Sequence, residues 1–247
     1  MNSRLSQKDI PVNERLILAL DVPDRAAAEA LVGQLGPSVQ FYKIGLELFM
    51  AGGYFELINW LRDQGKRVFC DLKFFDVPET VARAVRQLKN RGVDFATVHG
   101  NDTMLAAAAK EKNGLKILAV TVLTSLDRSD LESLGFQCDV AELVYSRARK
   151  AIALGCDGVI SSGLEAARLR DGLGDQLLIV SPGIRPVDNT VEADDQKRTV
   201  TVADAFLNGA DYIVVGRPIR DAADPRAAAD ALQASIAGLF AAHAAPI

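Results

Sequence analysis

The most informative stretch of this chain is Arg67-Val68-Phe69-Cys70-Asp71-Leu72-Lys73-Phe74-Phe75-Asp76, which joins an apolar run to a dense pattern of charges. Its first half is an apolar run, which predicts a buried strand from Arg67 to Lys73. Apolar residues then recur at helical spacing from Glu79 to Arg91, and Gly92 closes that segment. A strand followed by a helix is the unit from which parallel α/β folds are built.

The same strand-and-helix unit recurs along the whole chain. Helical spacing is found, for example, over Arg25–Leu35 and Ala141–Leu154. The predicted strands are Leu16–Asp21, Gln40–Ile44, Arg67–Lys73, Phe95–His99, Lys116–Leu123, Gly158–Ser161, Leu177–Ser181 and Tyr212–Val215. Eight such units in 247 residues favour an α/β fold of the closed (β/α)8 type, a TIM barrel. The main competitor is an open doubly wound sheet, but no G-x-G-x-x-G turn follows the first strand.

The organisation along the chain indicates one domain. We find no linker or low-complexity segment, so residues 1–247 are expected to form a single (β/α)8 domain. Residues 1–12 are largely polar and are expected to be a flexible N-terminal extension. Two long connections, Thr124–Asp139 and Gly183–Thr199, interrupt the rhythm of strands and helices.

Composition excludes several classes of partner. Hydrophobic residues make up 49% and charged residues 24%, which is typical of an ordinary globular chain. The net charge of −4 argues against nucleic acid or an anionic membrane surface as a partner, and no apolar run is long enough to span a bilayer. The three cysteines lack metal-ligand spacing and read as reduced thiols of a cytoplasmic protein, and two histidines are too few for a His-rich metal site. We therefore expect no metal.

Polar residues stand at the ends of the predicted strands in conspicuous number. In a (β/α)8 barrel the loops that follow the strands converge on one mouth, where active sites form. An Asp, Lys or Arg facing the core of a parallel strand has little structural reason to be there. The pattern indicates an enzyme or a ligand-binding barrel whose candidate site residues are Asp21, Lys43, Asp71, Lys73, His99, Thr124 and Arg217.

The third strand carries the densest charge pattern. Residues two apart on a strand share a face, so Asp71 and Lys73 project together, and Asp76 lies just past the strand end. Alternating carboxylate, ammonium and carboxylate groups are costly to bury unless they pair with one another and with a ligand. Taken alone, the pattern also fits a solvated turn, and the rest of the chain has to decide between the two.

The end of the eighth strand predicts a phosphate site. Gly216 lets an anion approach backbone N–H groups, and Arg217 supplies a planar guanidinium for phosphate oxygens. Sites after strands seven and eight recur in this fold. The loop that begins at Ser181-Pro182-Gly183-Ile184-Arg185 has the length of a lid that closes over a ligand.

At this point the motifs resemble those of the orotidine 5′-phosphate decarboxylase family over essentially the whole chain. The strongest match is Asp71-Leu72-Lys73-Phe74-Phe75-Asp76-Val77-Pro78-Glu79-Thr80, which fits the family pattern DxKxxD[IV]PxT. The supporting matches, in order, are Lys43-Ile44-Gly45, Val120-Thr121-Val122-Leu123-Thr124-Ser125, Pro182-Gly183-Ile184-Arg185, Asp195-Gln196-Lys197-Arg198 and Gly216-Arg217-Pro218. One departure is His99-Gly100, where relatives often have His-Ala, so a structural role is favoured for His99.

The resemblance implies a role for each matching residue. Lys73 would protonate C6 of the pyrimidine, and Asp71 would face the substrate carboxylate. Asp76 and Thr80 would reach across a homodimer interface into the partner's site. The remaining matches would bind substrate: Asp21 and Lys43 at the ribose, with Lys43 also bound to Asp71, Thr124 at the pyrimidine edge, Gln196 between pyrimidine and phosphate, and Arg185, Gly216 and Arg217 at the lid and phosphate.

The resemblance further implies decarboxylation of a nucleotide without a cofactor, within pyrimidine biosynthesis. Loss of CO2 from C6 leaves a carbanion that the ring π-system does not delocalise directly, and no thiamine, flavin or metal motif is evident. The protein itself would have to stabilise the charge through preorganised electrostatics.

Three rival interpretations stay open on the sequence. The first is a magnesium-dependent keto-sugar phosphate decarboxylase or aldolase, which shares DxKxxD but usually follows it with small residues. The second is a Schiff-base aldolase that uses Lys73 or Lys43, although a lysine flanked by aspartates is a poor nucleophile. The third is a barrel that binds a phosphate ligand without catalysis, against which the intact set of Asp71, Lys73 and Asp76 argues.

Overall fold

The computed structural model describes residues 4–185 and 199–243, and within them eight parallel strands close into a barrel. Counting a separate pair outside the barrel, the described residues contain ten strands. They are β1 (Leu16–Ala19), β2 (Phe41–Ile44), β3 (Arg67–Phe74), β4 (Phe95–Val98), β5 (Lys116–Val120), β6 (Gly158–Ile160), β7 (Leu178–Ser181), β8 (Ile184–Arg185), β9 (Val200–Thr201) and β10 (Tyr212–Val215). The order around the barrel is β1-β10-β7-β6-β5-β4-β3-β2, and β8 and β9 form a separate parallel pair.

Helices connect the strands on the outside of the barrel. They are α1 (Arg25–Leu35), α2 (Leu46–Ala51), α3 (Tyr54–Asp63), α4 (Pro78–Leu88), α5 (Asp102–Glu111), α6 (Arg128–Ser133), α7 (Val140–Ala153), α8 (Gly163–Leu173), α9 (Val202–Leu207), α10 (Arg217–Arg220) and α11 (Pro225–Ala242). No helix within the described ranges is long and apolar enough to cross a membrane.

The predicted (β/α)8 barrel is confirmed, with most strands shorter than predicted, β3 one residue longer, and one additional strand pair. Strand β1 ends at Ala19 rather than at Asp21, because the chain turns toward Asp24, whose side chain accepts a hydrogen bond from the Ala27 N–H and caps α1. The pair formed by β8 and β9 was not predicted, since two-residue strands have no periodicity to detect.

An aromatic core fills the inside of the barrel. Alternate positions on the strands contribute Ile17, Phe41, Phe69, Phe95 and Tyr212, all of them buried. The rings of Phe41 and Phe95 lie 5.0 Å apart, and Tyr212 meets both edge-on. This packing follows from the period of two along each strand, which sends every second side chain inward. The helices cover the outer faces in a second core, as α4 does with Val81, Val85 and Leu88.

The N-terminal segment is anchored where it is described, which corrects the expectation of a flexible extension over residues 1–12. Leu5 is buried in the outer core, and Ser6 Oγ donates to Asp211 Oδ1 at 2.5 Å. Lys8 Nζ lies 2.8 Å from the same oxygen. Asp211 is fully buried and also accepts from Arg170 Nη2 at 2.9 Å. A buried carboxylate needs such partners, and the N-terminal segment supplies two of them.

The two long connections differ in how much of them is described. Residues 124–139 contain α6, which begins with a capping box between Asp127 and Asp130. Of the predicted lid over residues 183–199, the structure describes Gly183 to Arg185 and residue 199. Residues 186–198, including the predicted ligand Gln196, lie outside the described residues.

Candidate active site

A cavity of about 440 Å³ opens at the carboxyl ends of the barrel strands. Ala19, Phe69 and Val214 give it an apolar floor. Along β1, β2 and β3, the inward-facing position that follows the last apolar one carries a charged side chain. The predicted site residues that line this cavity are Asp21, Lys43, Asp71, Lys73, Thr124, Arg185, Gly216 and Arg217.

Four of these side chains form a continuous row of alternating charge. Lys43 Nζ lies 3.1 Å from Asp21 Oδ1 and 3.5 Å from Asp71 Oδ2. Lys73 Nζ donates to Asp71 Oδ1 at 2.9 Å. Each ammonium therefore has a carboxylate neighbour, and Asp71 stands between the two lysines. The burial cost that made this pattern informative in the sequence is met by these mutual contacts.

The row holds Asp71 and Lys43 in their ionised forms. Burial alone would raise the pKa of Asp71, but the charges of Lys43 and Lys73 and hydrogen bonds from Lys73 and Thr97 outweigh it, so the pKa lies below its ordinary value of 3.8. Burial alone would lower the pKa of Lys43, but Asp71 and Asp21 outweigh it and raise that pKa above 10.5. At neutral pH, Asp71 is therefore a carboxylate and Lys43 an ammonium.

The backbone of β3 is irregular where it carries this chemistry. Lys73 has φ of 46°, in the left-handed region that non-glycine residues rarely adopt. Such a conformation costs about 1–3 kcal/mol and persists only where the surroundings impose it. Here the Lys73 N–H donates to Thr97 Oγ1 at 2.9 Å, and the Thr97 hydroxyl donates to Asp71 Oδ1 at 2.8 Å. The strain lies at the residue whose ammonium faces the cavity.

Arginines line the cavity next to the Asp21 end of the charged row, because β10 pairs with β1. Gly216 precedes α10, which starts with Arg217, and both line the cavity together with Arg185. Gly183 adopts φ of +76°, so the turn after β7 needs a residue without a side chain. Arg220 Nη1 donates to the backbone carbonyl of Asp21 at 2.7 Å, which links α10 to the end of β1. This end of the cavity suits an anionic group.

Two predicted residues do not join the cavity of their own chain. Asp76, between β3 and α4, and Thr80, in the first turn of α4, are both exposed on the rim, and neither lines the cavity. Phe75 and Val77, on either side of Asp76, are 66% and 61% exposed. Asp76 and Thr80 belong to the same sequence motif as Asp71 and Lys73. Within one chain, however, they are separated from the charged row.

His99 lies beside the site rather than in it. Its ring meets Phe75 edge-on at 5.6 Å, and it does not line the cavity. Burial lowers the pKa of His99 below 6.5, and the nearby Arg147 and Lys73 lower it further. A neutral ring packed on an aromatic one fits the structural role favoured from the sequence.

The sequence patterns did not identify Thr97 and Arg220 as site residues. Thr97 is fully buried on β4, two residues after the inward-facing Phe95, so strand periodicity carried a signal for it. Arg220 stands one turn after Arg217 in a helix of four residues, and such a short helix gives no sequence pattern. Among residues 4–185 and 199–243, no group of three or more His, Cys, Asp or Glu side chains is placed to hold a metal ion.

The fold and the site together define a (β/α)8 barrel whose active-site mouth is lined by paired lysines and aspartates and by arginines. The profile of the orotidine 5′-phosphate decarboxylase / HUMPS family matches residues 14–232. The chain is 66% identical over 242 residues to the orotidine 5′-phosphate decarboxylase of Methylococcus capsulatus, covering 98% of this chain and 100% of that protein. It is 52% identical over 236 residues to the enzyme of that name from Xanthomonas axonopodis pv. citri, covering 94% and 96%.

A solved structure agrees. The crystal structure of orotidine 5′-phosphate decarboxylase from Lactobacillus acidophilus has a TM-score of 0.80 and 36% identity, covering 90% of this chain and 99% of that one. The chain therefore belongs to the orotidine 5′-phosphate decarboxylase / HUMPS family, and the resemblance stated from its motifs is confirmed.

Proposed function

We propose that this chain decarboxylates orotidine 5′-phosphate to uridine 5′-phosphate and CO2 in pyrimidine biosynthesis, using Lys73 as the proton donor. The observation that carries the proposal is the row of Asp21, Lys43, Asp71 and Lys73 along one wall of the cavity. The family match and relatives of that name at 66% and 52% identity support the reaction.

The reaction balances on the residues of this wall. The bond between C6 and the carboxylate breaks, CO2 leaves, and the electron pair stays on C6. Lys73 then gives a proton from Nζ to C6, and solvent returns a proton to the amine. Before that transfer, the ammonium stabilises the developing carbanion, which is preorganised electrostatic catalysis.

Asp71 and Lys43 keep Lys73 in place, and their own charges form part of this wall of the cavity. Asp71 Oδ1 fixes the Lys73 ammonium at 2.9 Å, and Lys43 holds the other oxygen of Asp71. The substrate carboxylate lies against Asp71 in this proposal, so the ground state is repelled and the loss of CO2 relieves the repulsion. Lys43 and Asp21 are then the ribose ligands at the near end of the row.

The phosphate occupies the arginine side of the cavity. Arg217 and Arg185 line that side, and Gly216 leaves room for an anion next to the start of α10. In this proposal Thr124 contacts the pyrimidine edge, and Gln196, which lies outside the described residues, is the ligand between pyrimidine and phosphate that the family motif implies. Binding energy gained at the phosphate, far from C6, is then realised in the transition state.

We further propose a cytoplasmic, two-fold homodimer in which Asp76 and Thr80 serve the partner's site. Asp76 and Thr80 are exposed on the rim, next to the exposed apolar side chains of Phe75 and Val77. Apolar side chains on the surface beside a site are typical of a protein contact. The cytoplasmic location rests on three cysteines that fit a reducing compartment.

The reaction needs no cofactor in this proposal, and a chelation experiment tests that. Purified protein is incubated with excess EDTA, desalted, and assayed by the change in ultraviolet absorbance of orotidine 5′-phosphate. We expect full activity without added metal. Activity that vanishes on chelation and returns with magnesium would instead support a metal-dependent keto-sugar phosphate enzyme, whose substrates are then assayed in parallel.

A further inference from the structure

The hydroxyl of Thr97 forms hydrogen bonds to two groups of β3 in the candidate active site, the backbone of Lys73 and the side chain of Asp71. Thr97 is fully buried on β4. Its Oγ1 accepts from the backbone N–H of Lys73 at 2.9 Å and donates to Asp71 Oδ1 at 2.8 Å. A hydroxyl has one proton to donate and lone pairs to accept with, so both bonds form at the same time.

The pairing of β3 with β4 explains why a side chain is needed there. Cys70 pairs with Ala96, and the next pair is Phe74 with Val98, so β3 spans four residue steps where β4 spans two. The two extra residues form a bulge that contains Lys73, in its left-handed conformation. In this bulge the N–H of Lys73 is bound by the Thr97 side chain.

The hydrogen bonds close a ring around Asp71. Lys73 Nζ and the Thr97 hydroxyl both donate to Asp71 Oδ1, and the hydroxyl also accepts from the Lys73 backbone. Thus one side chain fixes both the backbone turn that directs the lysine and the carboxylate that receives its ammonium. Bulges next to active sites commonly redirect a side chain in this way.

We propose that Thr97 is a positioning residue for the Asp71–Lys73 pair, acting on the proton transfer rather than on substrate binding. This inference rests on the proposed role of Lys73 as proton donor. A misplacement of a reacting group by about 1 Å can cost roughly 10²-fold in rate. We therefore expect the loss of the Thr97 hydroxyl to lower kcat and to leave KM nearly unchanged.

The same hydroxyl helps to keep Asp71 ionised, which provides a second measurable effect. Asp71 is faced by Lys73 from its own strand, by Lys43 from β2 and by Thr97 from β4, while Asp21 at the end of β1 reaches it through Lys43. The hydrogen bond from Thr97 is one of the influences that lower the pKa of Asp71. Without it, the acid limb of kcat should move to higher pH.

Thr97→Val tests the proposal, because valine keeps the shape and lacks the hydroxyl. Thr97→Ser restores the hydroxyl, and Thr121→Val is the matched control. Thr121 is also fully buried, and its hydroxyl donates only to a backbone carbonyl, that of Ile160 at 2.8 Å. We expect a fall in kcat of roughly 10- to 100-fold for Thr97→Val, with KM within about threefold of wild type. Thr97→Ser and Thr121→Val should keep wild-type kcat and acid limb.

The outcomes separate this inference from the proposed function. If wild-type protein does not act on orotidine 5′-phosphate, or if Lys73→Ala remains active, the proposed function fails first. If both behave as expected but Thr97→Val keeps wild-type kcat and acid limb, the role of Thr97 is refuted. An equal loss of kcat in Thr121→Val would refute it as well. Should Thr97→Val fail to fold by circular dichroism, Thr97→Cys, with its weakly donating thiol, provides the same comparison.

Discussion

At the scale of single residues, the central feature is a lysine held in a strained backbone conformation within the hydrogen-bonded group of Asp71 and Thr97. Lys73 has positive φ, and its ammonium and its backbone N–H are both bound within the group formed by Asp71 and Thr97. Residues kept in rarely populated conformations concentrate at functional sites, because the strain has to be imposed by surrounding contacts.

Lys73→Ala should abolish turnover in a protein that still folds. The change removes the proposed proton donor and its charge, and we expect a loss of at least roughly 10³-fold in kcat. Lys110→Ala, on the exposed side of α5, is the control and should behave like wild type. The measurement is single-turnover decarboxylation, with circular dichroism to verify the fold. A variant that keeps about a tenth of wild-type activity would rule out Lys73 as the essential donor.

The lowered pKa of Asp71 gives a prediction with a definite sign. Because the folded value lies below 3.8, ionised Asp71 contributes stability that is present above pH 3.8 and is lost as the pH falls through the folded pKa. Lys43 is the foremost charge that holds the pKa down, so Lys43→Gln should raise it and move the acid limb of kcat to higher pH. The pH profile at saturating substrate measures this shift. An unmoved limb would mean that Lys43 does not hold Asp71 ionised.

At the scale of secondary-structure elements, the two ends of the barrel have different roles. The carboxyl ends of the strands carry the cavity, and the amino ends carry buried ion pairs such as those around Asp211, which directly precedes β10. This division is characteristic of (β/α)8 barrels, in which one face bears the site and the other stability.

The arginine at the start of α10 should act through phosphate. Arg217→Ala is expected to lower kcat/KM for orotidine 5′-phosphate by roughly 10²-fold, since a charge-assisted contact is lost. Orotidine, which lacks the phosphate, should react slowly and be nearly indifferent to the substitution. Arg226→Ala, on the exposed face of α11, is the control. Equal proportional losses for both substrates would show that Arg217 does not act through phosphate.

The buried carboxylate ahead of β10 should matter for stability alone. Asp211→Ala leaves Lys8 and Arg170 without their buried partner, which typically costs about 3–5 kcal/mol. For a chain of this length we expect Tm to fall by at least roughly 6 °C. The kcat measured well below the new Tm should stay unchanged. Asp230→Ala, at an exposed position of α11, is the matched control in thermal unfolding. An unchanged Tm in Asp211→Ala would contradict the anchoring role.

At the scale of the whole molecule, the rim that carries Asp76 and Thr80 is the basis of the proposed homodimer. These residues lie outside the cavity of their own chain, yet their motif is continuous with Asp71 and Lys73. A two-fold axis near this rim would bring each Asp76 to the partner's mouth, because an isologous interface exchanges the same residues in both directions.

Mixing two inactive variants tests the shared site. In a hybrid of Lys73→Ala and Asp76→Ala subunits, one site carries both lesions and the other combines the intact copies of both residues. With free exchange, about half of the dimers are hybrids with one good site each, so about a quarter of wild-type activity should return. Each variant mixed with itself is the control. Verified hybrids that remain inactive would assign Asp76 to its own subunit's site or to a structural role.

Much of the candidate site could be predicted from the sequence because its residues stand at strand ends. The period of two put Asp71 and Lys73 on one face, and the shared carboxyl end of parallel strands brought Asp21, Lys43 and Arg217 to the same cavity. Thr97 was missed because a threonine within a strand carries no charge that would mark it as unusual. Its function depends on a bulge in the neighbouring strand.

Local periodicity and motifs of fixed spacing were enough to predict the barrel, the family and the identity of the charged residues. The pairing of those charges, the anchoring of the N-terminal segment at Asp211 and the separation of Asp76 from the row became visible only in the folded chain. The physical reason is that pairing, burial and pKa depend on distances between strands. Those distances follow from the closure of the barrel and from the bulge in β3.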